Sequence, residues 1–350
     1  MAGLPTGKLP VDLLTDLLTR SPSADRRVLL GPGVGLDCTV IDFGDRLLVA
    51  KSDPITFTAE QIGWYAVHVN ANDVATTGAQ PRWFLATVLL PQGQTDATLV
   101  EAIFDQILAA CHQVGAELVG GHTEITAGLS RPIVCGTMLG EVDRHALITP
   151  QGARPGDVVL LTKGIPVEGG SILAREFGDR LAHLPTDLIG RARDYLAHPG
   201  ISVVPEALTA AAAGGVTAMH DPTEGGLAAA LWELAQAAHV RLAIDPSAVH
   251  VLPEAAELCR SLGVDPWSTI ASGALLLTVR PDSCAEVLEA VGRLGIDIGV
   301  IGQVRLGSGV AMRSGAGETE LPWPARDALA TLFVEDDQVS RPGRSPTAGP

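Results

Sequence analysis

The sequence predicts an α/β protein in two parts, an α+β N-terminal domain followed by a C-terminal α/β domain. Three observations carry this. A length of 350 residues suits about two domains, and 46% hydrophobic content is enough for real cores. The first part reads β-β-α-β-α-β, close to the split βαβ arrangement of ferredoxin-like domains. Beyond a turn at Gly152–Gly156 (GARPG), strand and helix patterns alternate again, which implies a second layered core. The expected division is 1–153 and 154–334, with a disordered tail from Glu335 (EDDQVSRPGRSPTAGP) that has no apolar residues to bury.

In chain order, Pro10 opens a short helix at Val11–Leu18, and a polar stretch then leads to the Gly-rich loop GPGVGLD (Gly31–Asp37). Cys38–Ile41 and Arg46–Lys51 read as strands joined by the hairpin signal Asp42-Phe43-Gly44-Asp45. Glu60–Thr77 reads as a helix stopped by Gly78, with Pro81 just beyond. Trp83–Leu90 reads as a buried strand. Asp96–Val114 is an amphipathic helix, with Leu99, Ile103, Ile107 and Cys111 four apart and Gly115 closing it. Short and long strands follow at Glu117–Val119 and Ile133–Val142. The second part predicts strands at Val158–Thr162, Val216–Met219, Arg241–Ile244, Ala274–Val279 and Ile298–Val304. Its helices fall near Ser171–Glu176, Leu188–Leu196, Leu227–Ala238, Glu254–Leu262 and Ser283–Leu294.

Composition excludes several classes. There is no run of 18 apolar residues, so a membrane span is not expected. The first residues lack a charged, then apolar, leader pattern, and a cytoplasmic protein is expected. Five cysteines without C-x-x-C spacing suggest neither a zinc knuckle nor a disulfide framework. A net charge of −16 argues against nucleic acid as a partner. An anion such as a nucleotide must then be held locally, by backbone N–H groups, metal ions and a few cations.

Asn70 and Asn72 are the only asparagines of the chain, beside Asp73 in NANDVATTGAQP. Lysines are as scarce: Lys8, Lys51 and Lys163, each in a Gly- or Asp-bearing motif. Familiar phosphate and hydrolase motifs are missing. GLPTGKL is one residue short of a P-loop, GPGVG is not G-x-G-x-x-G, and neither H-E-x-x-H nor G-x-S-x-G occurs. What remains is carboxylates at the ends of elements: Asp37 after three glycines, Asp53 in Ser-Asp-Pro, and Asp73 beside Asn72. Magnesium takes oxygen ligands from a few carboxylates plus substrate phosphates, so three converging aspartates suit a metal-bound triphosphate. Taken singly, each is as readily a turn former. Glycines 31, 33 and 35 either let backbone N–H groups approach phosphate or form a flexible connector. Gly120-Gly121-His122-Thr123-Glu124, just after a short strand, either places donor, hydroxyl and carboxylate together or is a turn with a solvated histidine. His220-Asp221-Pro222-Thr223-Glu224-Gly225-Gly226 and Gly164–Gly170 (GIPVEGG) each lead into a helix, which makes an anion site or a plain helix start.

Taken in order, GKLP, GPGVGLD, SDPITF, NANDVATTGAQP, GGHTEI, RPGDVVLLTKGI and HDPTEGGLA resemble the superfamily of aminoimidazole ribonucleotide (AIR) synthase and the hydrogenase-maturation protein HypE, especially its AIR synthase-related branch. The likeness runs over roughly residues 4–310. It implies a PurM-like architecture, in which a ferredoxin-like N-terminal domain pairs with its copy into a dimeric β-barrel beside an α/β domain. It also implies ATP and Mg2+ in the cleft, and phosphorylation of an oxygen on a small amide, carbonyl or phosphate substrate. Carried onto this chain, the metal ligands become Asp37, Asp53 and Asp73. Lys8, Gly33, Gly35, Lys51, Asn72, Gly120, Gly121 and Thr123 serve the nucleotide, and His122, Glu124 and Asp221 are the expected catalytic residues.

Departures from the family pattern set limits on this. HypE carries a terminal cysteine that accepts the carbamoyl group; this chain ends SPTAGP and its last cysteine is Cys284, so thiocyanate formation in cis is not expected. His122 stands where HypE and thiamine-phosphate kinase have the Asp of GGDT, and Glu224 replaces the Arg of DPTRGG. No cysteine precedes Cys38, which disfavours selenophosphate synthetase chemistry. These departures motivate an alternative: a nucleotide-binding, HypE-like accessory protein that docks to a partner.

Overall fold

A computed structural model describes residues 9, 11–20, 24–33, 35–56, 58–315, 317–324 and 326–339. The fold is mixed α/β, built on two separate sheets. After helix α1 (Val11–Thr19), the first sheet takes strands β1 (Val28–Leu30), β2 (Thr39–Asp42), β3 (Leu47–Ile55), β4 (Gln80–Pro91), β5 (Glu117–Thr126) and β6 (Ile133–Val142). Their spatial order is β1-β2-β3-β6-β4-β5, antiparallel except for the parallel pair β4/β5. Strand β6 runs antiparallel between β3 and β4, so the β3–α2–β4 unit is split as expected. Helices α2 (Ile62–Thr76) and α3 (Ala97–Val114) supply its connections.

Local chemistry accounts for these helices. The Asp96 carboxylate accepts the Leu99 N–H at 2.9 Å, and Gly115 ends α3 at φ 72°. Gly78, at φ 76°, closes the turn after α2. Strand β6 alternates strictly between buried and half-buried positions, so one face of the sheet lies under α2. Helix α2 lies close on the sheet because β6 offers glycines beneath it: a Cβ at Gly140 would come within 2.4 Å of Val74, and one at Gly136 within 2.6 Å of Asn70. The opposite face, with Leu85, Leu89, Ile133 and Leu139, is left half-buried.

The second sheet uses β7 (Val158–Thr162), β8 (Val216–His220), β9 (Arg241–Ile244), β10 (Leu276–Val279), β11 (Ile298–Arg305), β12 (Gly309–Ser314) and β13 (Gly317–Glu320). Its order is β13-β12-β9-β11-β7-β10-β8, and only β12/β9 is parallel. Helices α4 (Val167–Glu176), α5 (Thr186–Arg193), α6 (Val204–Ala213), α7 (Gly226–Ala238), α8 (Pro253–Leu262), α9 (Cys284–Gly292) and α10 (Ala328–Val339) complete the chain. Strands β7 and β10 are buried on both faces. Val159, Leu161 and Leu276 pack with Leu227 and Leu231 of α7, while Leu160 and Leu277 face the core shared with α4, α6 and α8.

Several elements differ from expectation. Strands β1, β12 and β13 and helices α6 and α10 were not foreseen. The expected tail begins inside α10, which runs to Val339; the rest of that tail lies outside the described residues. The expected short strand at Glu117–Val119 is a ten-residue strand, β5, that takes up the whole GGHTEI string. Gly121 permits this: at φ 143°, a Cβ there would sit 1.9 Å from the Ala86 carbonyl oxygen. A register shift between Phe84 and Leu85 marks the accompanying bulge. No helix among the described residues is long and apolar enough to cross a membrane.

Candidate functional site

Asp37, Lys51, Asp53, Asp73 and Asp221 converge where the two sheets meet. Asn70 positions the first part of this set. Its Oδ1 accepts the Asp53 N–H at 2.9 Å, and its Nδ2 donates to the carbonyls of Ala66 (2.8 Å) and Asp53 (3.3 Å). The asparagine amide reads the backbone of Asp53 as a neighbouring strand would, tying β3 to α2. Lys51, on the same strand, then sits between two carboxylates, with Nζ 3.0 Å from Asp53 Oδ2 and 2.9 Å from Asp73 Oδ2. The Asp73 side chain is 1% exposed.

The second half contributes from the end of β8. His220 is fully buried; its Nε2 lies 3.0 Å from Glu233 Oε2, and its Nδ1 lies 3.0 Å from the Asp221 carbonyl and 3.6 Å from Asp37 Oδ2. Ligand-type atoms of Asp37, His220 and Asp221 all lie within 4.8 Å of one another. Gly35, at φ 72°, places the Asp37 loop against α7, where a Cβ would come within 2.9 Å of the Glu233 carbonyl oxygen. Its glycine is needed for that packing, and Gly33 pairs with Leu36 in the same turn. The loop thus carries Asp37 to His220.

Charge in this site is not balanced from within. Burial, followed by the neighbouring Asp221 carboxyl, raises the pKa of Asp73 well above the carboxylate range, although Lys51 opposes the shift. Burial also pushes Asp221 up to about 7, with Asp37 adding to the rise. Desolvation works against the Lys51 ammonium, but Asp73 and Asp53 outweigh it and raise its pKa. Asp37 Oδ2, Asp73 Oδ1 and both Asp221 oxygens are buried without a hydrogen bond of normal geometry. Four carboxylates facing one lysine, with spare buried oxygens, form a hard-oxygen donor set of the kind a divalent cation takes. The residues present fit magnesium.

Other expected site residues lie elsewhere. Asn72 does not turn to this cluster: its Nδ2 donates to the Ile201 carbonyl at 2.7 Å and its Oδ1 accepts the Val203 N–H at 2.8 Å. Both amide functions are spent clamping α2 to the second half. Gly120, Gly121, His122, Thr123 and Glu124 lie on the edge strand β5 rather than in a turn. Gly121 is in register with Ala86, Gly136 and Asp53, three strand spacings away, or about 14 Å. His122 and Glu124 pair with each other at 3.2 Å and are 66% and 50% exposed, so they do not reach the acid cluster of their own chain. Lys8 lies outside the described residues.

The two glycine-led helix starts are already capped. The Glu168 and Gly169 N–H groups of α4 donate to the carbonyls of Ser272 and Ile270, and the Gly225 N–H before α7 donates to Asp327 Oδ2 at 2.6 Å. Lys163 is likewise committed, paired with buried Glu206 at 2.8 Å. Sequence reasoning did not assign His220 or Glu233 a role. His220 was visible in the HDPTEGG string, but nothing local marks Glu233, which lies mid-helix in α7.

Comparison with known proteins gives the family and the fold. Residues 35–142 match the N-terminal domain of the AIR synthase related proteins, and residues 154–314 match their C-terminal domain. Carbamoyl dehydratase HypE of Rhizobium leguminosarum bv. viciae is 30% identical over 259 residues, covering 72% of this chain and 70% of HypE. Among solved structures, the hydrogenase maturation protein HypE in complex with ATP superposes with a TM-score of 0.68 at 23% identity, covering 91% of this chain and 94% of that one. AaThiL complexed with AMPPCP and TMP gives 0.69 at 21% identity, covering 90% and 95%. At those identities the two structures speak for the fold alone. With both domains matched in order and a curated relative aligned over most of its length, the chain belongs to the AIR synthase related protein family.

Proposed function

We propose that this chain is an ATP- and Mg-dependent enzyme of the AIR synthase/HypE type, which phosphorylates an oxygen of a small amide, carbonyl or phosphate substrate. One observation carries the reading: four carboxylates from both halves of the chain surround a single lysine, with buried oxygens left over. Its relatives include a carbamoyl dehydratase, and a HypE of the same fold was solved with ATP.

Asp37, Asp53, Asp73 and Asp221 would hold the cation, which when bound neutralises the charge of the nucleotide phosphates. Phosphoryl transfer asks a protein mainly for positioning and charge neutralisation. Lys51 adds one positive charge at the same place, and its two carboxylate partners hold it there. His220, held by Glu233, keeps the Asp37 loop and Asp221 facing each other. In this reading residues 1–153 form the nucleotide domain and residues 154–334 form the acceptor side. The uncovered face of the first sheet, with Leu85, Leu89, Ile133 and Leu139, and the exposed edge strand β5 with Val119 and Ile125, support pairing with a second copy into the family's dimeric barrel. The decisive experiment is ATP turnover by the full chain with a panel of small amides, carbonyl compounds and phosphate esters, with magnesium and with EDTA. Magnesium-dependent turnover that one substrate class stimulates in the absence of any partner protein is expected. No turnover without a protein partner would favour an accessory role.

A further inference from the structure

Away from the acid cluster, a cavity of about 120 Å³ opens where α2 and α3 meet the segment 196–206 and Ile296. Its polar wall consists of His68, Gln113, Lys163, Ser202 and Glu206. His68 is 1% exposed and Glu206 is fully buried. Lys163 has no donor to spare: Nζ donates to the carbonyls of Gly200 (3.2 Å) and Ser202 (2.6 Å) and pairs with Glu206 Oε1 at 2.8 Å. Glu206 Oε2 and both ring nitrogens of His68 are different. They are buried without a hydrogen bond of normal geometry, although the Gln113 amide stands beside the ring and the Thr162 hydroxyl beside the Glu206 carboxyl. Buried polar atoms are rarely left in that state. The space is several times the ~10–15 Å³ that one water requires.

The charges select the kind of occupant. Lys163 and Glu206 cancel. Burial pushes the His68 pKa down to about 3, so the imidazole is neutral, with one nitrogen donating and the other accepting. A charged guest would have no counter-charge in the wall. The rest of the lining, Trp64, Leu196, Ile201 and Ile296, is apolar.

We propose that this pocket binds a small uncharged molecule bearing a hydrogen-bond donor and acceptor two or three bonds apart, a vicinal diol or a primary amide. The guest's donor reaches Glu206 Oε2, its acceptor takes the His68 N–H on the cavity side, and its carbon atoms lie on Trp64; the other ring nitrogen faces Gln113. The guest bridges α2 to the 196–206 segment. Asn72, one helical turn beyond His68, grips that same segment at Ile201 and Val203, and Asp73 follows it. Occupancy therefore steadies the contact on which the acid cluster is built. The assignment does not depend on what that cluster binds.

The test is a titration of the histidine-labelled full chain with ethylene glycol and, separately, with acetamide, following the imidazole nitrogens of His68 by long-range 1H–15N spectra. A His68→Gln variant assigns the signal. A saturable shift with a dissociation constant on the order of millimolar is expected for at least one probe. The responding probe tells diol from amide. In Ile296→Trp, which puts an indole into the cavity from its apolar side, the shift should be lost. A shift that rises linearly without saturating, or that persists in Ile296→Trp, overturns the proposal.

Discussion

Replacing Asp73 by asparagine separates a cation site from a structural ion pair. Asp73 Oδ2 lies 2.9 Å from Lys51 Nζ at 1% side-chain exposure. Breaking a buried pair that serves only stability costs about 3–5 kcal/mol, because the remaining charge is stranded. Here the remaining charge is not stranded, since Lys51 keeps Asp53 at 3.0 Å. Burial and the Asp221 carboxyl raise the Asp73 pKa and so work against its charged form, and asparagine supplies the neutral shape. Asp73→Asn should therefore change unfolding stability by less than ~1 kcal/mol, the scale of a mild substitution. Nucleotide binding should respond much more strongly. Even a group that only supports a metal ligand is worth 10- to 100-fold in metal affinity, so a direct ligand should cost ~100-fold or more, about 3 kcal/mol. Urea unfolding and titration calorimetry on the full chain, with magnesium and with EDTA, read both quantities. A variant that unfolds 3–5 kcal/mol more easily yet binds Mg·ATP like the wild type would refute the cation site and leave Asp73 a partner of Lys51.

Burial raises Glu168 to about 7 from 4.5, with Asp327 and Glu224 adding to the rise against Ser272. The folded state prefers the protonated acid, so this contribution is full below about 4.5 and is lost as pH rises through about 7, ~3 kcal/mol in all. Glu168→Gln should flatten the fall in stability between pH 5 and 8, and an unchanged slope in urea unfolding would exclude the residue as its source. Asn72→Ala removes two bonds and leaves the Val203 N–H and Ile201 carbonyl unpaired, at a cost of ~2–4 kcal/mol in urea unfolding. A loss under 1 kcal/mol would mean the clamp is dispensable. Gly136→Ala places a methyl 2.6 Å from Asn70 Nδ2 and 2.8 Å from Phe84, so it should cost ~1–3 kcal/mol and weaken nucleotide binding by loosening Asp53. His122→Ala, on an exposed strand, should shift stability by no more than ~0.5 kcal/mol; a larger loss by thermal unfolding would show that β5 is covered in solution.

Local chemistry was legible wherever it decides local structure. Asp96 and Gly115 mark the ends of α3 and Gly78 marks the end of α2, because caps and left-handed stops act over a few residues. Helix α6 left a readable trace in Pro205, Glu206 and Gly214, whereas β1, at three residues, is too short for periodicity to register. Asp37, Asp53, Asp73 and Asp221 were all singled out from their motifs. What each asparagine does was not readable: Asn70 and Asn72 are two residues apart, yet one holds Asp53 and the other holds Ile201 and Val203. Partners 17 and 129 residues away are chosen by packing. The sequence by itself determined the family, the layered class and the acidic residues, since those reside in residue types and their order. Only the tertiary structure decided that His220 and Glu233 join the cluster, that GGHTEI is an exposed edge, and that Lys163 is spent on Glu206, because each depends on which faces of distant elements are pressed together.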